Sequence, residues 1–435
     1  MIFNQEMECM SRENMRKLQL ERLQKTVRYC YEKVPLYTRK FDEIGLKPED
    51  IISLEDIEKI PFTSKDDLRD NYPFDMFAVP MSDIIEIHAS SGTTGKPVVV
   101  GYTRKDMEDW SEAVARLAAA AGVTKDDIAQ VAFGYGMFTG GFGLHYGLQK
   151  LGATVIPASS GNTERQLMYM QDYKTTVLIS TPSYALYLSE VCLDMGIDPK
   201  SLNLKIGLFG GEGHSEELTK EVEKRWGILD TENYGMTEIT GPGVSGECTF
   251  KKGLHINEDL FYPEIIDPVT LASLPVGSEG EMVLTTLTKE GIPMLRFRTK
   301  DITKLCDEKC DCGRTTVRMH KVLGRTDDML IIKGVNVFPS QIESVLMKFS
   351  QIAPHYQILL KSIGFMDSIE VLVEVENGAI LDSYKKLEQL EENIKHEIRT
   401  VLQIDAKIKL VEPKTLERTA GKSKRVVDLR DKKQY

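Results

Sequence analysis

The sequence predicts an α/β protein, with a large N-terminal α/β domain of mostly parallel strands followed by a small C-terminal α+β domain. Three observations predict it. Between Ile84 and Leu284 short apolar runs alternate with longer stretches of helical periodicity, the rhythm of strand–helix–strand units. Beyond about Arg325 the rhythm changes to a few strands and two helices. The chain of 435 residues is also longer than one hydrophobic core ordinarily serves.

The elements follow in order. Residues 11–40 read as helical, with Leu18, Leu20, Leu23, Val27 and Tyr31 near helical spacing. Within 57–70, Pro61 comes early and Ser64-Lys-Asp-Asp is a helix start. The apolar runs Gln130-Val-Ala-Phe, Thr154-Val-Ile-Pro, Thr176-Val-Leu-Ile-Ser and Lys205-Ile-Gly-Leu-Phe read as strands. Helical patterns at 104–121 and 215–226 lie before and after these four runs. In the C-terminal part, strands are expected at Asp328-Met-Leu-Ile-Ile-Lys, Ile369-Glu-Val-Leu-Val-Glu-Val and Ala406-Lys-Ile-Lys-Leu-Val. Helices are expected at 339–349 and 383–402.

Composition excludes some classes of function. The net charge is −11 and no basic block precedes the last fifteen residues, whereas a nucleic-acid binder shows a basic face. The N-terminus is charged throughout and lacks a signal-peptide core. No uncharged apolar run reaches the roughly 18–20 residues that span a bilayer. The expectation is therefore a cytoplasmic protein that binds neither nucleic acid nor membrane, with its seven cysteines reduced.

Six short strings carry chemistry. In Ser90-Ser-Gly-Thr-Thr-Gly-Lys-Pro97 the small residues let backbone N–H groups curl towards phosphate oxygens. Ser90, Ser91, Thr93 and Thr94 add hydroxyls, Gly92 and Gly95 add freedom, and Lys96 adds charge. The spacing is not that of a Walker loop. In Tyr234-Gly-Met-Thr-Glu238, Thr237 suits a phosphate and Glu238 offers a hard oxygen to Mg²⁺. Gly210-Gly-Glu-Gly213 follows a strand and admits a flat ligand to the backbone. Asp301, in Phe297-Arg-Thr-Lys-Asp301, suits ribose hydroxyls. The fifth string runs from Gly324-Arg-Thr-Asp-Asp to Pro339, and the sixth is Arg418-Thr-Ala-Gly-Lys-Ser-Lys424. Each string alone also reads as an ordinary turn or a solvated tail.

A further cluster involves soft ligands. Cys248 and His255 form a C-x₆-H pair, and Cys310 and Cys312 form a C-x-C pair. Together they suggest a structural Zn²⁺ site of Cys₃His type, with Cys306 as a spare ligand. The alternative is a set of scattered reduced thiols.

Taken in this order, the six strings resemble the adenylate-forming superfamily of acyl-CoA synthetases, luciferases and peptide-synthetase adenylation domains. The likeness is closest to the phenylacetate–CoA ligase branch. Its markers here are Tyr31-Glu-Lys-Val-Pro-Leu-Tyr37, Phe62-Thr-Ser-Lys-Asp-Asp-Leu68, Phe133-Gly-Tyr-Gly-Met-Phe-Thr-Gly-Gly141 and Leu295-Arg-Phe-Arg-Thr-Lys-Asp-Ile302. The resemblance implies an ATP- and acid-binding adenylation domain at 1–325 and a mobile C-terminal domain at 326–435. It implies that the 90–96 loop holds the ATP phosphates and that Gly211 and Glu212 line the adenine. Tyr234 with Gly235 and Met236 belongs beside it, Asp301 and Arg325 grip the ribose, and Asp327 is the hinge. Thr237 and Glu238 serve phosphate and Mg²⁺. Lys422 is the catalytic lysine, with Lys424 its rival. Tyr135, Gly136, Phe138, Gly140 and Gly141 are expected to shape the acyl pocket, the glycines making room and the aromatics giving flat walls. The branch also often carries the same Cys/His elements.

The resulting expectation is an aryl-acid CoA ligase. ATP and a small aromatic carboxylate give an acyl-adenylate and pyrophosphate, and coenzyme A then gives acyl-CoA and AMP. Two alternatives stay open: an adenylation enzyme that loads a carrier-protein thiol, and a non-catalytic nucleotide-binding regulator. A homodimer is left open as well.

Overall fold

The computed structural model describes residues 1–90, 97–332, 335–363, 366–378, 383–419 and 425–430. The chain forms two compact units. The first is Met1–Ser180, Lys200–Gly211 and Ile228–Lys321; the second is Thr181–Pro199, Glu212–Gly227 and Val322–Tyr435.

The helical N-terminus is interrupted. Arg12–Lys33 is one helix, capped by the Ser11 side chain, and Pro35–Ile44 is a second. The expected single helix to residue 40 breaks at Val34, because the residue before a proline is driven to extended backbone and Pro35 has no N–H for the preceding turn. The capped start at Ser64 is present: Ser64 and Asp67 form a capping box on the helix Lys65–Asp70.

The centre of the first unit is a long sheet. The strands Thr154–Ile156, Ile128–Val131, Val177–Ser180, Ile206–Gly210 and Leu229–Met236 lie side by side in that order, all parallel. The α/β class is therefore the one that forms, with parallel pairing in this half. The rest of the sheet is antiparallel. Gly241–Glu247 returns beside Leu229–Met236, Leu254–Ile256 follows it, and Arg318–Met319 links these to Phe297–Cys306. Glu279–Thr286, Phe261–Ile266 and Ser273–Leu274 complete the edge. The antiparallel half was not legible because its connections are short returns rather than helical crossovers.

The helices Arg104–Ala120 and Thr139–Leu151 pack closely against each other. A Cβ on Gly143 would meet Trp110 at 2.3 Å, and one on Gly147 would meet Val114 at 2.3 Å, so glycine sets how near the helices approach. The core of the first unit is built from residues such as Leu117, Val131, Leu178, Phe209, Val244 and Val283, each at most 4% exposed.

In the second unit the helices Pro182–Asp194 and Glu216–Trp226 pack together, with the Trp226 indole donating to the Ala185 carbonyl at 2.9 Å. Met366–Val375 and Ala406–Val411 form a parallel pair as expected strands. A long strand at Ile352–Ile363, unnamed by the sequence reading, pairs with Met366–Val375. The helices Pro339–Leu346 and Tyr384–Leu402 cover the sheet around Ile342, Ile358, Val371, Ile394 and Ile398. Among the described residues no helix is long and apolar enough to cross a membrane.

Candidate active site and metal centre

Parallel strands place their carboxyl ends on one edge of the sheet. Three expected site segments leave from that edge: 133–139 after Ile128–Val131, Gly211 after Ile206–Gly210, and Thr237 after Leu229–Met236. Such an edge is where open α/β sheets bind ligands, because no crossover covers it. The hydroxyls of Thr139 and Thr237 meet at 3.2 Å, tying the first segment to the third.

Tyr234 and Asp301 come together although 67 positions separate them. The Tyr234 hydroxyl donates to Asp301 Oδ2 at 2.6 Å, and the Asp301 backbone N–H donates to the Thr299 hydroxyl at 3.1 Å. Gly235 is required by crowding, since a Cβ there would lie 1.9 Å from the Gly241 carbonyl oxygen. Glu238 is buried, and its Oε1 lies 3.0 Å from the ammonium of Lys65. Lys65 is not among the candidate site residues the sequence reading named. Its signal was the Phe62–Leu68 string, read only as a family marker, and its position comes from the Ser64 cap and the pairing of Thr63 with Phe297. The Lys289 ammonium, also not named, is buried, donates to the Ile239 carbonyl and lies 4.9 Å from the Tyr102 ring centre. Burial lowers its pKa to about 8.

The acyl-pocket candidates are half open. Phe138 is 51% exposed, and a Cβ on Gly136 would meet nothing within 4 Å. Tyr135 shares a 3.1 Å hydrogen bond with His145 Nδ1, and burial pushes the Tyr135 phenol up and the His145 ring down. Gly140 lies 3.8 Å from Phe133 by the same measure, whereas Gly141 is closed in by the Gly134 carbonyl at 2.9 Å.

Ser90 closes the hairpin of Glu86–Ala89 and Val99–Tyr102 through its N–H to the Val98 carbonyl. Residues 91–96, with Ser91, Gly92, Thr93, Thr94, Gly95 and Lys96, lie outside the described residues, as do Lys422 and Lys424. In the second unit, Glu212 accepts from the Ser183 backbone N–H at 2.8 Å and from its hydroxyl, at the start of the helix Pro182–Asp194. Arg325 binds Asp327 with both ends of its fork, at 2.9 and 3.0 Å.

The four soft ligands converge. Ligand atoms of Cys248, His255, Cys310 and Cys312 all lie within 4.8 Å of one another. The Cys248 and Cys310 sulfurs are 3.7 Å apart and Cys312 Sγ is 3.3 Å from His255 Nε2. Two sulfurs each about 2.3 Å from a tetrahedral centre would lie roughly 3.8 Å apart, so the donor set fits Zn²⁺. Thr316 meets His255 Nδ1 at 3.0 Å, which orients Nε2 into the cluster. The Cys248 thiol and then the His255 ring hold the Cys312 thiol far below its ordinary pKa, while Cys248 is pushed up by facing Cys312. A buried ion pair of Arg314 with Glu8 anchors the turn after Cys312. Cys306 falls outside the cluster and accepts from Arg318 at 3.4 Å.

Residues 18–287 match the AMP-binding enzyme family and residues 334–430 match the AMP-binding enzyme C-terminal domain. The phenylacetate-coenzyme A ligase of Aromatoleum evansii is 48% identical over 97% of this chain and 96% of its own. Those of Thermus thermophilus and Escherichia coli are 46% and 45% identical, covering 99% and 98% of this chain and 100% and 97% of theirs. The chain belongs to the AMP-binding enzyme family, in its phenylacetate–coenzyme A ligase branch. Among solved structures of family enzymes, 2-hydroxyisobutyryl-CoA ligase with 2-HIB-AMP in the postadenylation state is similar at a TM-score of 0.92. The identity is 30%, over 97% of this chain and 91% of that one. The same enzyme with 2-HIB-AMP and CoA in the thioesterification state gives 0.73 at 31% identity, over 98% and 92%.

Proposed function

We propose that this chain is an aryl-acid coenzyme A ligase with phenylacetate or a close relative as its acid. The observation that carries the reading is identity of 45–48% to phenylacetate-coenzyme A ligases over nearly the full length of both chains.

A carboxylate is a poor acyl donor, so it first attacks the α-phosphorus of ATP and displaces pyrophosphate. The acid is already ionised near neutral pH and needs no general base. Negative charge concentrates in the transition state, so catalysis is mainly positioning and electrostatic stabilisation. Asp301, oriented by the Tyr234 hydroxyl, accepts from the ribose hydroxyls, with Arg325 as its partner in that task. Gly211, Glu212, Gly235 and Met236 line the base. Thr237 and the 90–96 loop hold the phosphates. Glu238 is the carboxylate that would hold Mg²⁺, which when bound neutralises charge on the phosphate oxygens. Tyr135, Gly136, Phe138, Gly140 and Gly141 receive the ring of the acid. Lys422 brings positive charge to the reacting carboxylate, and the 326–435 domain turns about Asp327 to admit the thiol. Cys248, His255, Cys310 and Cys312 would hold a Zn²⁺ that ties the two loops together and takes no part in the reaction. The reading places the enzyme in the cytoplasm, where these thiols stay reduced.

The test follows the two half-reactions. Purified protein with ATP, Mg²⁺ and phenylacetate is expected to release pyrophosphate, and AMP release is expected to rise when coenzyme A is added. AMP formation that responds to a carrier protein and not to coenzyme A would replace the ligase reading with the carrier-loading one. Lys422→Ala is expected to fail in adenylation yet convert supplied acyl-AMP and coenzyme A to thioester.

A further inference from the structure

The chain carries a buried histidine with a partly buried carboxylate partner beside the 133–139 segment, and none of the proposed roles uses the pair. His88 lies on the strand Glu86–Ala89 and is 2% exposed. Its Nε2 is 2.6 Å from Glu86 Oε1, and its Nδ1 is 3.2 Å from the backbone carbonyl of Met137. An ionised carboxylate and a carbonyl are both acceptors only, so each ring nitrogen of His88 faces an acceptor. The hydrogen bonds of His88 and Tyr146 hold the Glu86 carboxyl below its ordinary value against partial burial, in keeping with an ionised partner.

The pair grips both ends of one stretch of chain. The Met137 carbonyl accepts a second bond, from the Ala89 N–H at 2.7 Å. The other Glu86 oxygen accepts from the Tyr146 hydroxyl at 2.9 Å, and Tyr146 lies two turns into the helix Thr139–Leu151 that follows. The ring is packed edge-on against Tyr102 and Trp110 at 5.6 and 5.8 Å, and tilted against Phe142 at 5.5 Å. Phe142 in turn meets Tyr135 at 5.2 Å. The same strand leads directly into Ser90.

We propose that His88, held by Glu86, is the positioning residue for the 133–139 segment, and through it for the ring of the acid; this last step rests on the proposed function. A ring nitrogen fixed among aromatic side chains holds the Met137 carbonyl in one place. Tyr135 and Thr139 hold the two sides of the segment through His145 and Thr237, and Met137 lies between them.

Three variants separate the two bonds. Asn carries its amide nitrogen at about the reach of Nδ1, so His88→Asn keeps the bond to Met137. Gln reaches Nε2, so His88→Gln keeps only the bond to Glu86. His88→Phe keeps the ring packing and loses both. Hydrogen exchange of the 133–139 segment in the protein without substrates is the first readout. It is expected to rise about tenfold in His88→Phe and His88→Gln and to stay within about twofold of wild type in His88→Asn. The second readout is kinetic: the KM for phenylacetate should rise about tenfold in the same two variants, with the KM for ATP within about threefold. Unchanged exchange in His88→Gln overturns the proposal, as does equal exchange in His88→Gln and His88→Asn. A matching rise in both KM values also overturns it, since that is what a general loss of structure would give. A wild type inactive with every aryl acid, with the exchange order intact, removes the proposed function and leaves His88 as the residue that positions the segment.

Discussion

The residues proposed for the nucleotide and the Cys/His cluster sit on neighbouring strands of one sheet, yet they are built in opposite ways. Tyr234 and Thr237 lie at the end of one strand and Asp301 in the middle of another, and Gly136 and Phe138 face open space. The cluster is closed: Cys248, His255 and Cys310 are each at most 7% exposed, and their ligand atoms face one another. The difference teaches where each change should register. A residue whose partner is a substrate is replaced at little cost to the fold, whereas a residue whose partners are protein groups or a structural metal is not.

Four substitutions test that contrast. Glu238→Gln should show the largest effect, with adenylation falling by about 10²–10³-fold while the melting temperature hardly moves. The carboxylate that would hold Mg²⁺ is lost there, and Lys65 loses only a half-exposed ion pair. Pyrophosphate release near the wild-type rate would remove Glu238 from the site. Cys312→Ser should do the reverse. Protein purified without chelator is expected to hold about one Zn²⁺ per chain, and the variant to lose it, with a melting temperature lower by about 5 °C or more. Metal analysis and calorimetry on the two proteins decide this, and a metal-free wild type of full stability returns the cluster to plain thiols.

Tyr234→Phe is expected to be milder, raising the KM for ATP about tenfold, the worth of one hydrogen bond to a charged group. A change in stability alone would make Tyr234 part of the sheet rather than of the site. The smallest effect concerns Lys289. Its amine titrates near pH 8 in the folded chain and at its ordinary, higher value when unfolded. Between those values the unfolded chain holds a proton that the folded one lacks, so this group adds stability as pH rises from about 8 towards 10. Lys289→Met should flatten that rise relative to wild type. Equal slopes in melting temperature between pH 7.5 and 9.5 would show that the amine stays charged.

The sequence by itself determined the class, most of the strands and helices, and the strings that carry chemistry. These depend on local causes: the period of apolar residues, a Ser64 cap, and runs of glycine and threonine in 90–96. Tertiary structure decided which distant residues meet. The Tyr234–Asp301 and Lys65–Glu238 pairs, the choice of Cys310 and Cys312 over Cys306, and the grip of His88 on Met137 all depend on strand order and register. The antiparallel half of the sheet belongs with them, whereas the break at Val34 has the local cause of Pro35. The physical reason is that periodicity tells a residue which face it takes, while its neighbour on that face is set by pairing across tens or hundreds of positions. Loop closure makes that pairing nearly independent of the intervening sequence.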